Sequence, residues 1–250
     1  MTHKLAHDRQ EALKSLIEDQ GAVVVSEVAR EWGVSEMTIR RDLRALQDQG
    51  VLARVHGGAV AGGQLRFRAR IGMQQAEKRH AALKLADHIP HAGAIYLDGS
   101  TTIYQLAEQL QKRGGLLVAT NNVDTFTRVG SYPGVEAVLL GGVLNRETDN
   151  LVGPMARRTL DGLSFDAAFF SAYAMHPSCG PCEPSPEDAE IKQMVCERSA
   201  QVHLALNDQK LGERAAACWA AQSEKAVLAT NLDPGDERLT PYRGFFGTIL

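Results

Sequence analysis

Residues 25–49 constrain this chain more than any other stretch. Val25, Val28, Ala29 and Trp32 recur at helical spacing, Gly33-Val34 interrupts them, and Ile39, Leu43 and Leu46 resume. Apolar residues at i, i+3 and i+4 mark the buried stripe of an amphipathic helix. The segment therefore predicts two short helices joined by a glycine-containing turn, the helix-turn-helix layout. Ser26 and Ser35 are the expected N-caps, since a serine hydroxyl accepts from the orphan N–H groups of a first turn. Upstream, Leu13, Leu16 and Ile17 predict another helix, beginning after about residue 6 and stopped by Gly21.

With Ile39, Leu43 and Leu46 turned inward, Glu36, Met37, Thr38, Arg40, Arg41 and Arg44 lie on or near the outer face of the third helix. The second helix of such a pair enters the DNA major groove with its N-terminal residues at the base edges. Arginine forks onto guanine or holds phosphate, and Thr38 suits a base edge or a thymine methyl. Ser35, Met37, Thr38, Arg40, Arg41 and Arg44 are thus DNA-facing candidates, against the plain alternative of a solvated face laced with i,i+4 ion pairs. Residues 51–60 alternate around Gly57-Gly58, a hairpin signal. This would be a wing, with Arg54 and His56 reaching the backbone or minor groove. No second ligand sits near His56 in sequence, which disfavours a metal there.

Charge distribution agrees. The whole chain carries −3, yet seven arginines face three acids between Glu36 and Gln75, a local +4 that leaves −7 elsewhere. A short basic module on an acidic body suits a DNA reader joined to a small-molecule sensor. No apolar run is long enough for a membrane span. The polar N-terminus lacks a signal-peptide core, so a cytoplasmic location is expected. Four cysteines in 250 residues do not amount to a disulfide scaffold.

The expected domains are a winged helix-turn-helix at 1–60, a linker at 61–75 built on Ala61-Gly62-Gly63-Gln64, and a sensor at 76–250. A helix over 76–88 opens the sensor. Short apolar runs follow at 94–97, 116–119, 135–140, 166–171, 202–206 and 226–229, with helical patterns between several of them. Continuous apolar strands separated by helices predict a mainly parallel sheet covered on both faces, an α/β fold.

Ligands of such sheets bind at the carboxyl ends of the strands. Asp98-Gly99-Ser100-Thr101-Thr102 follows the first strand and opens a helix, offering hydroxyls and N–H groups for an anion. Thr120-Asn121-Asn122, Gly141-Gly142 and Asn207-Asp208-Gln209-Lys210 close three more strands, with Lys210 supplying a positive charge. Any one of these alone reads equally well as a capped loop.

At this point the residues resemble a family. Val34-Ser35-Glu36-Met37-Thr38-Ile39-Arg40-Arg41-Asp42-Leu43, with Leu46, Gly50 and Arg54-Val55-His56-Gly57-Gly58-Ala59, is similar to the signature of the DeoR bacterial regulators. The second half resembles that family's sensor, similar in fold to ribose-5-phosphate isomerase, through Leu97-Asp98, Thr101-Thr102, Thr120-Asn121, residues 140–148 and Leu151-Val152-Gly153-Pro154. The resemblance implies operator DNA as partner, repression of a sugar-catabolic operon, a phosphorylated sugar or related metabolite as effector, and a homodimer or homotetramer. It adds Arg146, Glu190 and Lys192 to the effector candidates Asp98, Gly99, Ser100, Thr101, Thr102, Thr120, Asn121, Gly141, Gly142, Asn207 and Lys210. For Glu190 and Lys192, ordinary pairing on a helix surface explains the residues equally well. Asp98-Gly99-Ser100-Thr101-Thr102 and Asn207-Asp208-Gln209-Lys210 depart from the family's Asp-x-Gly-Thr-Thr and Asp-x-Ser-Lys patterns.

Cys179-Gly180-Pro181-Cys182 has the spacing of a redox dithiol, and His176 with both cysteines and Cys196 could hold zinc. A thioredoxin-like motif begins a helix, whereas here prolines 177, 181, 184 and 186 surround it. An irregular effector-lining loop is favoured, and neither metal nor cofactor is assigned. A sugar-phosphate isomerase with an appended head is the rival class. Asp98, Glu187 and Asp208 are its candidate bases, but no ordered acid/base set emerges, so no enzyme activity is expected.

Overall fold

The computed structural model describes residues 6–20, 22–48, 52–55, 58–61, 67–220 and 223–250; residues 18, 19, 48, 53–55, 60, 61, 68, 69 and 223–225 are described by their backbone alone. The chain divides into two compact units, Met1–Met73 and Gln74–Leu250.

The first unit contains α1 (Ala6–Gln20), β1 (Ala22–Val24), α2 (Val25–Trp32), α3 (Glu36–Asp48), β2 (Leu52–Val55), β3 (Gly58–Ala61) and α4 (Phe67–Ile71). Leu13, Ile17, Val25, Val28, Ala29, Ile39, Leu43 and Leu46 form one buried cluster, the stripes expected of the three helices. Gly33 caps α2 in the left-handed conformation (φ 65°), donating its N–H to the Ala29 carbonyl. Ser35 caps α3: its Oγ accepts the Thr38 N–H at 3.1 Å. Ser26 does not cap α2. The N-cap position falls two residues earlier, at Val24, with no side-chain cap, because residues 22–24 are already committed to a strand.

Strand β1 is missing from the sequence expectation and completes the wing: β1 and β2 both pair antiparallel with β3, which lies between them. Gly58 sits where a Cβ would collide with the Val23 carbonyl oxygen, so this crossing needs glycine. Helix α4 falls within the span expected to link the units, and its Phe67 is fully buried.

The second unit begins with α5 (Gln75–Leu83) and a 3-10 turn at Ala86–His88 in place of one helix over 76–88. It continues through β4 (Gly93–Leu97), α6 (Thr101–Leu106), β5 (Leu116–Thr120), α7 (Val123–Gly130), β6 (Val135–Leu139), β7 (Val143–Asn145), β8 (Asn150–Val152) and α8 (Pro154–Asp161). Then come β9 (Ala167–Phe170), β10 (Ala174–His176), β11 (Gly180–Glu183), α9 (Pro186–Glu197), β12 (Val202–Leu206), β13 (Ala217–Cys218), β14 (Ser223–Thr230) and β15 (Phe246–Ile249).

Seven strands make one sheet in the order β15-β14-β12-β9-β4-β5-β6, and every pairing in it is parallel. Side chains alternate between two buried layers: Ile95, Leu97 and Phe169 face α5, α6 and α7, while Tyr96 and Phe170 face α8 and α9. Burial on both faces explains why the strands are apolar throughout. From β4 the chain adds β5 and β6 on one side, then returns to build β9, β12, β14 and β15 on the other. The strand order therefore reverses between β4 and β9.

Residues 173–186 are not an irregular loop. Strands β10 and β11 form an antiparallel hairpin, and β13 adds a third strand to it. Glycine at 180 (φ 78°) lets the chain turn through its prolines into regular pairing.

Candidate functional site

In the first unit, α3 presents a polar face. Ser35, Met37, Arg40, Arg41 and Arg44 are exposed and Thr38 is half-buried. Met37 is 74% exposed, an unusual state for a methionine and a usable apolar contact. Arg40 pairs with Glu36 one turn earlier at 3.1 Å, an i,i+4 ion pair on the helix surface. Arg41 and Arg44 make no ion pair among the described residues. Asp42, between them in sequence, turns the other way: it is buried and accepts from Arg9 Nε at 2.5 Å and Arg9 Nη2 at 3.1 Å, tying α1 to α3. Arg54 lies on β2, described by its backbone; His56 lies outside the described residues.

In the second unit the polar residues gather where the strand order reverses, the position at which open α/β sheets bind ligands. Asp98, after β4, is buried and fully committed. Its Oδ1 accepts from the Ser100 N–H (3.0 Å) and hydroxyl (2.5 Å), and its Oδ2 from the Ser171 N–H (2.9 Å). Lys192, from α9, lies 3.1 Å from Asp98 Oδ2 and 2.5 Å from Glu183 Oε1. Burial pulls the Lys192 ammonium down, but the Glu183 and Asp98 charges outweigh it and hold it above its ordinary range. Burial pushes Glu183 up against the pull of Lys192. Lys210 donates to the Ser171 hydroxyl at 3.0 Å and to the Ala172 carbonyl at 2.5 Å. Ser171, ending β9, thus joins Asp98, Lys192 and Lys210.

Ser100 caps α6, accepting the Ile103 N–H at 3.2 Å, with Thr101 and Thr102 buried behind it. Gly99 permits a close approach: a Cβ there would run into the Asn150 carboxamide. The β7–β8 hairpin closes over this end of the sheet. Leu151 donates its N–H to the Asn121 carbonyl at 2.7 Å, and Asn122 Nδ2 reaches Asn150 Oδ1 at 3.2 Å. Asp188, in the first turn of α9, clamps the hairpin by accepting from Asn145, Thr148 and Asn150 at 2.9–3.0 Å. Asn207, after β12, is buried; its Oδ1 has no partner among the described residues, while its Nδ2 donates to Gln74, the first residue of this unit.

The structure therefore brings Asp98, Gly99, Ser100, Thr101, Thr102, Lys192 and Lys210 to the reversal point, with Thr120 and Asn121 on one adjoining strand end and Asn207 at the end of β12, one strand beyond β9. Gly141 and Gly142 join β6 to β7 and position the hairpin, with Gly142 at φ 135°. Arg146 is exposed in the hairpin turn. Glu190 points away from Lys192 and pairs with Arg157 on α8 at 2.7 Å. Ser171, Glu183, Asn150 and Asp188 escaped the sequence reading. Ser171 was detectable, since it ends an apolar run as Asp98 does. The other three depend on long-range contacts. Cys179 and Cys182 meet Cys218, not His176 or Cys196.

Two family models match parts of the chain: the DeoR-like helix-turn-helix domain matches residues 9–64 and the DeoR C terminal sensor domain matches residues 73–231. The chain belongs to the DeoR family of DNA-binding transcription regulators. It is 29% identical over 231 residues to the HTH-type transcriptional regulator GlpR of Haloferax volcanii, covering 91% of this chain and 90% of that one. It is 28% identical over 235 residues to the lactose phosphotransferase system repressor of Staphylococcus epidermidis, covering 91% and 93%. Among solved structures, ribose 5-phosphate isomerase A of Methanocaldococcus jannaschii aligns with a TM-score of 0.41 at 12% identity, covering 54% of each chain. Among the described residues, no helix is long and apolar enough to cross a membrane.

Proposed function

We propose that this protein represses a carbohydrate-catabolic operon by binding its operator, and that a phosphorylated sugar or related metabolite, bound in the second unit, changes that affinity. The winged helix-turn-helix at 1–60 would read DNA through Ser35, Met37, Thr38, Arg40, Arg41 and Arg44, with Arg54 and His56 on the wing. The sensor at 76–250, reached through 61–75, would hold the effector. One observation carries this reading: a chain whose exposed α3 carries Arg41 and Arg44 with no ion pair among the described residues also holds two lysines and a serine cap at the reversal point of a parallel sheet.

Lys210 and the first turn of α6 suit a phosphate, while the open Asn207 oxygen suits a sugar hydroxyl. Thr120, Asn121, Gly141, Gly142, Arg146 and Glu190 complete the proposed contact set. Asp98, the candidate base at this point, is already held by Ser100, Ser171 and Lys192, which favours binding over isomerase turnover. Gln74 offers a route for the signal, since this residue near the end of the connecting span shares a hydrogen bond with Asn207. Two copies in the cytoplasm, presenting two α3 helices to half-sites about one duplex turn apart, would form the working assembly, a homodimer or homotetramer.

A thermal-shift series with phosphorylated sugars tests the sensor directly. A true effector at 100 times its Kd adds about 2.7 kcal/mol of stability. If no phosphorylated sugar shifts the transition while DNA binding persists, the effector class is wrong.

A further inference from the structure

Three thiols converge at the edge of the small sheet. Cys182 Sγ lies 3.6 Å from Cys179 Sγ and 3.0 Å from Cys218 Sγ, and all three sulfurs fall within 4.8 Å of one another. The backbone enforces the meeting. Cys182 on β11 and Cys218 on β13 are directly opposed in an antiparallel pair, and Trp219 fastens the strands by donating its N–H to the Pro181 carbonyl at 3.0 Å. The β10–β11 hairpin folds Cys179 back over the same point. All four cysteines of the chain are free thiols.

We propose that Cys179, Cys182 and Cys218 bind one zinc ion as three thiolates, with the fourth coordination position open to water. Thiols are weak hydrogen-bond partners, so three of them gain little from mutual contact, whereas thiolates favour zinc among the borderline and soft cations. Tetrahedral zinc with bonds near 2.3 Å places its sulfurs about 3.8 Å apart. The Cys179–Cys182 spacing is already close to that, and the exposed Cys218 has room to move outward.

The burial pattern also fits. Buried Cys182 supplies an inner ligand, while half-buried Cys179 and exposed Cys218 give an ion entry from solvent. Each thiol releases its proton to water as its sulfur–zinc bond forms, three protons per ion. A disulfide would use two sulfurs and leave the third unsatisfied. His176 stays outside the cluster with its Nδ1 against the Ser178 hydroxyl at 2.9 Å, and Cys196 packs with the sheet core.

The site lies next to the sensor chemistry. Glu183 follows Cys182 on β11 and holds Lys192 at 2.5 Å, so an ion here would stiffen a strand that anchors the Lys192 cluster.

The test is a cobalt titration of untagged, reduced, chelator-treated full-length protein. One equivalent of Co²⁺ should produce a thiolate-to-cobalt charge-transfer band and the d–d bands of a four-coordinate ion, both erased by one equivalent of Zn²⁺. Cys218→Ser and Cys179→Ser should abolish the spectrum, and Cys196→Ser should retain it. Alkylation of exposed Cys218 in the unaltered protein provides a readout free of any folding defect in a variant: stoichiometric zinc should slow it at least tenfold. The proposal is overturned if cobalt gives no stoichiometric spectrum, if Cys196→Ser abolishes it as completely as Cys218→Ser, or if zinc leaves the alkylation rate unchanged.

Discussion

The Asp98 carboxylate accepts the Ser171 backbone N–H at 2.9 Å, and these two residues directly follow β4 and β9, the adjacent strands from which the sheet grows in opposite directions. That hydrogen bond closes the gap at the reversal point. It also fixes the face on which Lys192 and Lys210 meet.

Removing the carboxylate should therefore damage the second unit. Asp98→Ala leaves the Ser171 N–H and half of the Lys192 charge uncompensated in a buried place, at a cost of about 3–5 kcal/mol. Equilibrium urea unfolding should show the loss, and effector binding should disappear from isothermal titration.

Gly99→Ala is the gentler probe of the same place. The added methyl meets the Asn150 carboxamide and lies 2.9 Å from Asn122 Cβ, so the β7–β8 hairpin must lift away from the site. Effector affinity should fall at least tenfold while affinity for DNA without effector stays near normal. Equal affinity for effector in the variant would show that the hairpin does not close over the ligand.

On α3 the neighbouring charges should separate cleanly. Arg41→Ala and Arg44→Ala should weaken DNA binding across all sequences and each lower the salt slope by about 1, with little change in stability. Asp42→Ala should instead destabilise the first unit by about 1–3 kcal/mol, because it releases Arg9 and opens the α1–α3 contact. Salt titrations paired with unfolding curves distinguish the two behaviours.

His203 gives the molecule an acid limit. It is fully buried, stacked on Phe169 at 4.7 Å, and burial together with His88 drives its pKa from 6.5 down to about 4. Between those values the unfolded chain binds a proton that the folded chain refuses, so stability is full above pH 6.5 and declines as pH falls toward 4. The loss attributable to this ring is on the order of 3 kcal/mol. His203→Phe should flatten the stability profile across that window, as read by urea midpoints at successive pH values.

Much of this was legible in the sequence for a definite reason. The helical stripes ending at Leu46 and the apolar strands of the sheet are local patterns, and local patterns report burial. The Asp98 and Asn207 strand ends were visible because polar residues stood where apolar runs stopped. Strand β1 was not: three residues between two helices carry no periodicity of their own, and only pairing with β3, more than thirty residues away, makes them a strand. Cys218 was invisible as a partner of Cys182 for the same reason, since thirty-six residues separate them. Asp42 sat in an arginine cluster that suggested DNA, yet its neighbour is Arg9 on another helix.

Gln74 provides the sharpest test of communication between sites. It takes a left-handed conformation (φ 50°) uncommon for a non-glycine residue and accepts from Asn207. Gln74→Ala should leave DNA binding and effector binding each within a few-fold of normal, while the effector's influence on DNA affinity shrinks. Retention of full coupling would remove this hydrogen bond from the route.

The most direct test is fluorescence anisotropy of the full-length protein with duplexes from its own promoter region, over about 50–200 mM salt. Phosphorylated sugars are then added. Nanomolar affinity that falls steeply with salt, disappears in the Arg41→Ala, Arg44→Ala double variant and shifts about five- to 150-fold with one phosphorylated sugar is the predicted result. Affinity indifferent to salt and to every phosphorylated sugar would contradict it.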